Sequence, residues 1–250
     1  MLEINQVYNS DCIGENGMCL IDDKSIDMIL CDLPYGTTAC KWDAIIPFEP
    51  LWQQYERIIK DNGAIVLTAS QPFTTSLIAS NLKLFKYCWV WDKKIISNPM
   101  MAKKMPLKQH EDICIFYKKQ SIYNPIKTNL DKERDWKQYS TSEIYGDKSD
   151  LSGNTGKVKG LYPKSIIQFS NANQKDKVHP TQKPVALFEY LINTYTNEND
   201  LVLDNCMGSF TTAVACENTG RNYIGFENDD KYYELGMKRL EELMVSKQLQ

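Results

Sequence analysis

Histidine is almost missing from this chain. Its 250 residues hold only two, His110 and His179, too far apart in sequence to found a histidine-rich metal cluster. Eight cysteines are present, at positions 12, 19, 31, 40, 88, 114, 206 and 216, but no two stand as a C-x-x-C pair. Several lie inside apolar strand patterns, so they read as buried thiols of a reducing compartment and not as metal ligands. No N-terminal apolar run has signal-peptide form and no stretch approaches a membrane span, so no membrane contact and a cytoplasmic location are expected. A surplus of positive charge is missing too. The formal net charge is −3, so a polyanionic partner would have to be met by local clusters of lysine. No internal repeat is evident. What is left has the charged and apolar fractions of a globular protein, long enough for one large α/β core with an insertion.

One corner stands out from that background. Ile26-Asp27-Met28-Ile29-Leu30-Cys31 reads as a short buried strand and runs into Asp32-Leu33-Pro34-Tyr35-Gly36, at the place where open α/β sheets keep their ligand crevices. Pro34 fixes its own φ and biases Leu33 toward an extended conformation. This aims the Asp32 carboxylate and nearby carbonyls outward, while Tyr35 offers a ring face for stacking. Such a corner can hold a flat, amine-bearing ring. Taken alone, the same residues also describe an ordinary strand-to-loop turn.

Near the C-terminus, Leu201-Val202-Leu203-Asp204 is another short apolar strand. It is followed by Asn205-Cys206-Met207-Gly208-Ser209-Phe210-Thr211-Thr212 and a helix-compatible stretch, Ala213 to Glu217. Gly208 permits close backbone approach, and the free N–H groups of a helix start can hold a polar ligand. The next strand ends in Glu227, roughly twenty residues on, where nucleotide-binding α/β units bind ribose hydroxyls.

Together with Val178-His179-Pro180-Thr181-Gln182-Lys183-Pro184, which leads into the helix-like Val185 to Ile192, the pattern becomes specific. It resembles the S-adenosylmethionine-dependent DNA amino-methyltransferases, in which a D-P-P-Y motif binds the target base and a D-x-F-x-G-S-G-T motif binds the cofactor. Asp32, Pro34 and Tyr35 match the first motif, Asp204, Gly208, Ser209 and Thr211 the second, and His179 to Pro184 the family's H-P-T-Q-K-P segment. The catalytic motif precedes the cofactor motif, as in the β subgroup, and the resemblance covers almost the whole chain.

The resemblance implies an α/β fold with a doubly wound, largely parallel sheet of the Rossmann-like methyltransferase type and a loop-rich insertion. S-adenosyl-L-methionine is the implied cofactor, and Asp32, Pro34 and Tyr35 are the implied catalytic residues. By the same resemblance Glu227 binds the ribose hydroxyls, and the turn from Asp204 through Cys206, Gly208 and Ser209 to Thr211 approaches the methionine moiety. Thr181 and Lys183 lie near its carboxylate, Asp32 borders the cofactor as well as the base, and Asp11-Cys12, after a first strand, contacts the adenine ring. Asp11 can equally cap a helix. Double-stranded DNA is the implied partner. A homodimer is suggested by the subgroup alone, and a cognate restriction endonuclease is a partner such enzymes can have.

Two positions depart from the family pattern. Leu33 replaces the first proline of the catalytic motif, and Phe210 stands at the second glycine of the cofactor loop. Phe210 cannot take a positive φ cheaply, so either the turn differs locally or the ring packs beneath the cofactor.

The expected chemistry is methylation of the exocyclic N6 of a flipped adenine. Its lone pair is delocalised into the ring, so Asp32 and a carbonyl at Leu33 or Pro34 are expected to accept its N–H groups. Three alternatives stand beside that reading. Cytosine N4 is a close chemical relative, but enzymes acting there often carry serine where Asp32 stands. An RNA base or a protein glutamine is a second target class, though its enzymes place the cofactor motif first. A non-enzymatic DNA- or cofactor-binding module is the third, motivated by Leu33 and Phe210. The chain lacks a Pro-Cys nucleophile motif, which argues against cytosine C5.

Strands are expected near 26–31, 64–68, 87–91, 112–117, 201–203 and 222–227, and helices near 50–60, 73–80, 184–196, 211–219 and 229–245. The catalytic domain is expected over 1–118 and 178–250. Between 119 and 177 Lys, Asp, Ser, Asn, Gly and Tyr dominate, which marks an insertion; target recognition is the expected role, with a mobile surface excursion as the alternative. From Lys83 to Lys119 nine lysines face Asp92, Glu111 and Asp112. Interleaved with Trp89, Trp91, Met100, Met101 and Pro106, they read as a loop beside the cleft that touches phosphates and wedges near the extruded base. For His110 and Glu111, core and crevice placement are equally open.

Overall fold

The structure, a computed structural model, describes residues 2–38, 40, 43–137, 155–172 and 182–248. The chain divides into two compact units, one of residues 1–124 with 165–250, the other of residues 125–164. Residues 119–124 and 165–172, read in the sequence as insertion, therefore belong to the larger unit.

The larger unit is built from β1 (Gln6–Asn9), β2 (Ile26–Cys31), α1 (Phe48–Ile58), β3 (Ile59–Ala69), α2 (Phe73–Ser80), β4 (Phe85–Asp92) and β5 (His110–Phe116). After the smaller unit, which holds β6 (Thr128–Lys137) and β7 (Thr155–Leu161), come β8 (Ile166–Gln168), α3 (Val185–Tyr195), β9 (Leu201–Asp204), α4 (Thr211–Thr219), β10 (Asn222–Glu227) and α5 (Asp230–Gln248). Among the described residues one sheet runs β1-β10-β9-β2-β3-β5-β4-β8. β5 alone lies antiparallel to its neighbours β3 and β4; the other pairings are parallel.

Side-chain alternation along the strands explains the two layers. Met28 and Leu30 of β2 and Ala64 and Val66 of β3 face one core with Leu187 and Leu191 of α3 and Ala213 of α4. Ile29 and Cys31, with Ile65 and Leu67, face the other with Leu51, Tyr55 and Ile58 of α1 and Phe73 and Leu77 of α2. Both faces of the sheet are covered, which is why these strands read as continuous apolar runs. From β9 the chain crosses to β10 on one side, and from β2 to β3 on the other. The crossovers diverge between β9 and β2, a topological switch point, and there the carboxyl ends of parallel strands leave a crevice.

Trp89 and Trp91 point into the core from β4, at 4% and 0% exposure, so neither belongs to a DNA-facing loop. In a half-buried strand every second side chain turns inward, and both tryptophans fall on that phase. The smaller unit is an antiparallel β6–β7 pair. Along β7 exposed and half-buried residues alternate with none fully buried, so no apolar phase announces the strand in the sequence.

Candidate active site

Asp11 follows β1, Glu227 ends β10, Asp204 ends β9, Asp32 follows β2 and Thr68 lies near the end of β3. The first four line one cleft of about 680 Å³ with Cys12, Pro34, Tyr35, Lys183, Cys206, Gly208, Ser209 and Thr211. Thr181 lies outside the described residues, as do His179 and Pro180. Every other residue to which the resemblance gives a catalytic or cofactor-binding role thus lines one cleft.

On the β2–β3 side the centre is the Asp32 carboxylate. Its Oδ1 accepts hydrogen bonds from the Tyr35 hydroxyl at 2.8 Å and from the Thr68 hydroxyl, and its Oδ2 accepts one from Lys183 Nζ at 2.6 Å. The Tyr35 ring stacks on Phe73, with centroids 5.2 Å apart. Burial, reinforced by the Asp32 and Glu111 charges, pushes the Tyr35 phenol well above its ordinary pKa, so it stays a neutral donor. Lys183 also faces Glu111 Oε2 at 3.5 Å, while Lys93 Nζ holds Glu111 Oε1 at 2.9 Å. Burial alone would pull the Lys183 ammonium down, but Asp32 and Glu111 outweigh it and hold its pKa above that of a free lysine. For Glu111, burial is likewise overcome by Lys183 and Lys93, which keep the carboxyl below its usual range. The result is a line of alternating charge, Asp32–Lys183–Glu111–Lys93. The structure therefore places the Lys183 ammonium against the catalytic-motif aspartate and settles Glu111 in the crevice.

Leu33 is buried at 3% exposure among the apolar residues beneath this corner, so the residue that replaces proline acts as an anchor in the core. The segment beyond it is tied down by Asp43, whose carboxylate accepts the backbone N–H groups of Gly36, Thr37 and Thr38 at 2.9, 2.9 and 2.7 Å. Burial opposes the Asp43 charge, yet these donors keep its pKa below the ordinary value.

On the β9–β10 side, Glu227 Oε2 accepts Gly208 N–H at 2.7 Å and Oε1 accepts Asp229 N–H at 2.9 Å. Burial raises the Glu227 pKa, and those backbone donors partly oppose it. Asp204 does a different job. Its Oδ1 accepts Cys206 N–H at 3.0 Å and its Oδ2 the Thr212 hydroxyl, so it clamps the turn and the start of α4 together, and burial pushes its pKa up to about 6. Asn205 bridges the two cleft cysteines, its Nδ2 donating to Cys12 Sγ at 3.4 Å and to Cys206 Sγ at 3.5 Å. The Cys12 pKa is raised by its hydrogen bond to Cys206 and by burial, and that of Cys206 also lies far above the free value. Both thiols are neutral. Asp11 caps no helix; its Oδ1 accepts Ile13 N–H at 3.0 Å in a local turn.

The turn from Asp204 to Thr211 is left-handed at two positions, Phe210 among them. Gly208 has φ +51° and Phe210 φ +59°. The phenyl ring is fully buried, edge-on to Tyr233 at 6.0 Å, and packed so closely on α5 that a Cβ on Gly236 would lie 2.3 Å from it. A left-handed non-glycine residue costs roughly 1–2 kcal/mol, and burying a phenyl ring contributes about 2–3 kcal/mol, so ring packing offsets the backbone strain. The ring lies in the core against α5. At Gly208 itself an added Cβ would meet no protein atom nearer than the Cys206 carbonyl at 4.0 Å, so backbone there borders open space. A buried acid at a strand end, a glycine with free approach and a cleft of this size suit a nucleoside bearing an amino-acid tail.

The lysine-rich segment is mixed in role. Lys93 is buried in the ion chain, Lys119 pairs with Asp61 and Lys118 donates to the Glu56 carbonyl, whereas Lys94, Lys103 and Lys104 are exposed. Sequence reasoning did not find Thr68, Ser70, Asp43 or Phe73, and gave Asn205 no role of its own. Asp43 had one faint signal, an acid seven residues beyond Gly36 and close enough to fold back on the turn.

Residues 26–238 match the DNA methylase family. The type II methyltransferase M1.MboII of Moraxella bovis is 26% identical over 257 residues, covering 93% of this chain and 95% of that one. The DNA adenine methyltransferase YhdJ of Escherichia coli (strain K12) is 28% identical, covering 96% and 83%. Among solved structures, an M1.HpyAVI–SAM complex matches at 25% identity with a TM-score of 0.62, covering 94% and 98%. The cytosine-N4-specific PvuII DNA methyltransferase shares the fold at 15% identity and a TM-score of 0.64, covering 92% and 84%.

Proposed function

We propose, since this chain belongs to the DNA methylase family, that its target is the exocyclic N6 of adenine in double-stranded DNA. It is an S-adenosylmethionine-dependent DNA amino-methyltransferase; the choice of base is our reading. The observation that carries it is the aspartate at position 32 and its ring of donors. A carboxylate has about four lone-pair sites. Tyr35, Thr68 and Lys183 occupy three, leaving one for an N–H of the target amine. A carbonyl at Leu33 or Pro34 accepts the other, which favours pyramidal nitrogen and frees its lone pair.

The remaining assignments follow the cleft. Glu227 holds the ribose hydroxyls, Asp11 and Cys12 border the adenine ring, and the turn from Asp204 through Cys206, Gly208 and Ser209 to Thr211 borders the methionine part. When bound, S-adenosylmethionine supplies a methyl group on a sulfonium that is already a strong electrophile. What the protein adds is alignment of the amine with that carbon, together with negative charge at Asp32 as positive charge develops on nitrogen. Lys183, Tyr35 and Thr68 hold the carboxylate in place while it does so. Pro34 keeps the corner extended, and Tyr35 flanks the base.

Target recognition is assigned to the insertion, whose described part exposes Lys132, Arg134, Lys157 and Lys159. Among the described residues no helix is long and apolar enough to cross a membrane. A cytoplasmic location stays part of the proposal on the reading of the sequence, and a homodimer and a cognate endonuclease on the resemblance alone. YhdJ, named for adenine, favours N6. Cytosine N4 is the second reading, since the PvuII enzyme carries that specificity on the same fold. Incubation with labelled S-adenosylmethionine and plasmid DNA, then digestion to nucleosides and mass spectrometry, tests the choice. Label in N6-methyladenine is the expected result; label in N4-methylcytosine overturns it.

A further inference from the structure

Between β4 and β5 lies a loop whose outer part, beyond Lys93, the reaction as described does not use. Its stem is closed where Ser97 N–H donates to the Lys108 carbonyl at 2.9 Å and Lys108 N–H donates to Asn98 Oδ1. That stem is seated on the Asp32 side of the cleft. Lys93, Ser97 and Lys108 line the cleft, Lys93 Nζ donates to Ser97, and Lys108 Nζ donates to Ser70, two residues beyond the Thr68 that binds Asp32. The tip is a wound turn, with Met101 N–H on Asn98 O at 3.0 Å, Ala102 N–H on Pro99 O at 3.2 Å and Lys104 N–H on Met101 O at 2.8 Å. Internal hydrogen bonds of this kind make the tip a shaped projection.

What the tip presents is apolar and uncovered. Met100 is 95% exposed, and Ile95, Ile96, Met105 and Leu107 on the same loop are 37–50% exposed. Five exposed apolar side chains on one loop are unusual for a surface facing only water, and Lys94, Lys103 and Lys104 are exposed beside them. Apolar surface rimmed by lysine matches a base stack bordered by phosphates. An apolar side chain, methionine among them, can slip between base steps once they are partly unstacked, and a flipped base leaves such a gap.

We propose that Met100 is the wedge that enters the duplex where the target base has left it, with Lys103 and Lys104 on the flanking phosphates. This rests on the reading of the protein as a base-flipping DNA methyltransferase and names the element that holds the flipped state open. Met100 is a positioning residue, since it meets the space the target base leaves.

The test compares two duplexes carrying the methylated site, once that site is mapped on plasmid DNA. One has the target base paired, the other has an abasic position opposite it, so that flipping is already favoured. Met100→Ala is expected to lower kcat/KM on the paired duplex by about tenfold or more, and on the abasic duplex by no more than about threefold. Lys103→Ala with Lys104→Ala is expected to weaken both duplexes equally and to flatten the dependence of binding on salt. Equal loss on both duplexes for Met100→Ala, or no loss on the paired one, overturns the wedge. If the unsubstituted protein methylates neither plasmid nor duplex, the parent reading fails, and the wedge with it.

Discussion

Lys183 Nζ sits 2.6 Å from Asp32 Oδ2, bringing the lysine that precedes α3 onto the corner after β2 across 151 residues of sequence. Each side chain compensates the other's burial, and Glu111, 3.5 Å beyond, makes the lysine a shared counter-ion. The two sequence motifs are therefore one electrostatic unit.

Lys183→Met leaves Asp32 and Glu111 without their common cation. Removing one member of a buried ion pair costs about 3–5 kcal/mol, so a loss of roughly 3 kcal/mol is expected in denaturant unfolding. Glu111 keeps its ion pair with Lys93, so Asp32 is the carboxylate left stranded, and adding Asp32→Asn should restore at least about 1 kcal/mol. A double variant less stable than Lys183→Met would show that Asp32 and Lys183 do not act as a pair.

Glu227 binds the turn through Gly208 and Asp229 and is assigned the ribose. Hydrogen bonds to charged groups contribute about 1.5–3 kcal/mol, so Glu227→Gln should raise the Kd for S-adenosylmethionine roughly 10- to 100-fold by calorimetry. An unchanged Kd would remove Glu227 from the cofactor site.

The contact of Phe210 with Gly236 predicts a steric coupling. Gly236→Ala drives a methyl group into the ring, 2.3 Å away, and overpacking of this kind costs about 1–3 kcal/mol. With Phe210→Gly, which also removes the positive-φ strain, the added methyl should cost less than about 0.5 kcal/mol. Equal costs in both backgrounds would mean the ring does not hold α5.

Asp204 carries a pH signature. Its pKa is raised to about 6 in the folded chain, against about 3.9 unfolded. Between these values the folded state binds more protons than the unfolded one, so this group's stabilising contribution is full below about pH 4 and is lost as pH rises through about 6. Asp204→Asn removes that dependence. The stability of Asp204→Asn minus that of the unsubstituted protein should rise by roughly 1–2 kcal/mol from pH 5 to pH 7.5. A difference independent of pH would contradict a buried, reluctantly charged Asp204.

Much of the site was legible because its residues ride the ends of apolar strands. Asp32, Asp204 and Glu227 each close a run whose burial the sequence displays. Thr68 was hidden because it sits inside such a run, and Asp43 because its partners are backbone N–H groups that carry no residue identity. The β6–β7 pair has no buried phase to betray it. Trp89 and Trp91 misled for the opposite reason, since strand phase turns them inward among lysines. The Phe210 turn shows propensity yielding to packing: its positive φ is held by a ring pocket on α5, nearly thirty residues away in sequence.

If the Asp32 carboxylate receives the target amine, single-turnover methyl transfer to DNA by Asp32→Ala at saturating S-adenosylmethionine is where its loss should register. Loss of a group that stabilises charge in the transition state costs about 10²–10³-fold or more, so the rate should fall at least that far while the cofactor Kd, measured separately, stays within about threefold. A rate close to that of the unsubstituted protein, with DNA and cofactor both bound, would contradict the account.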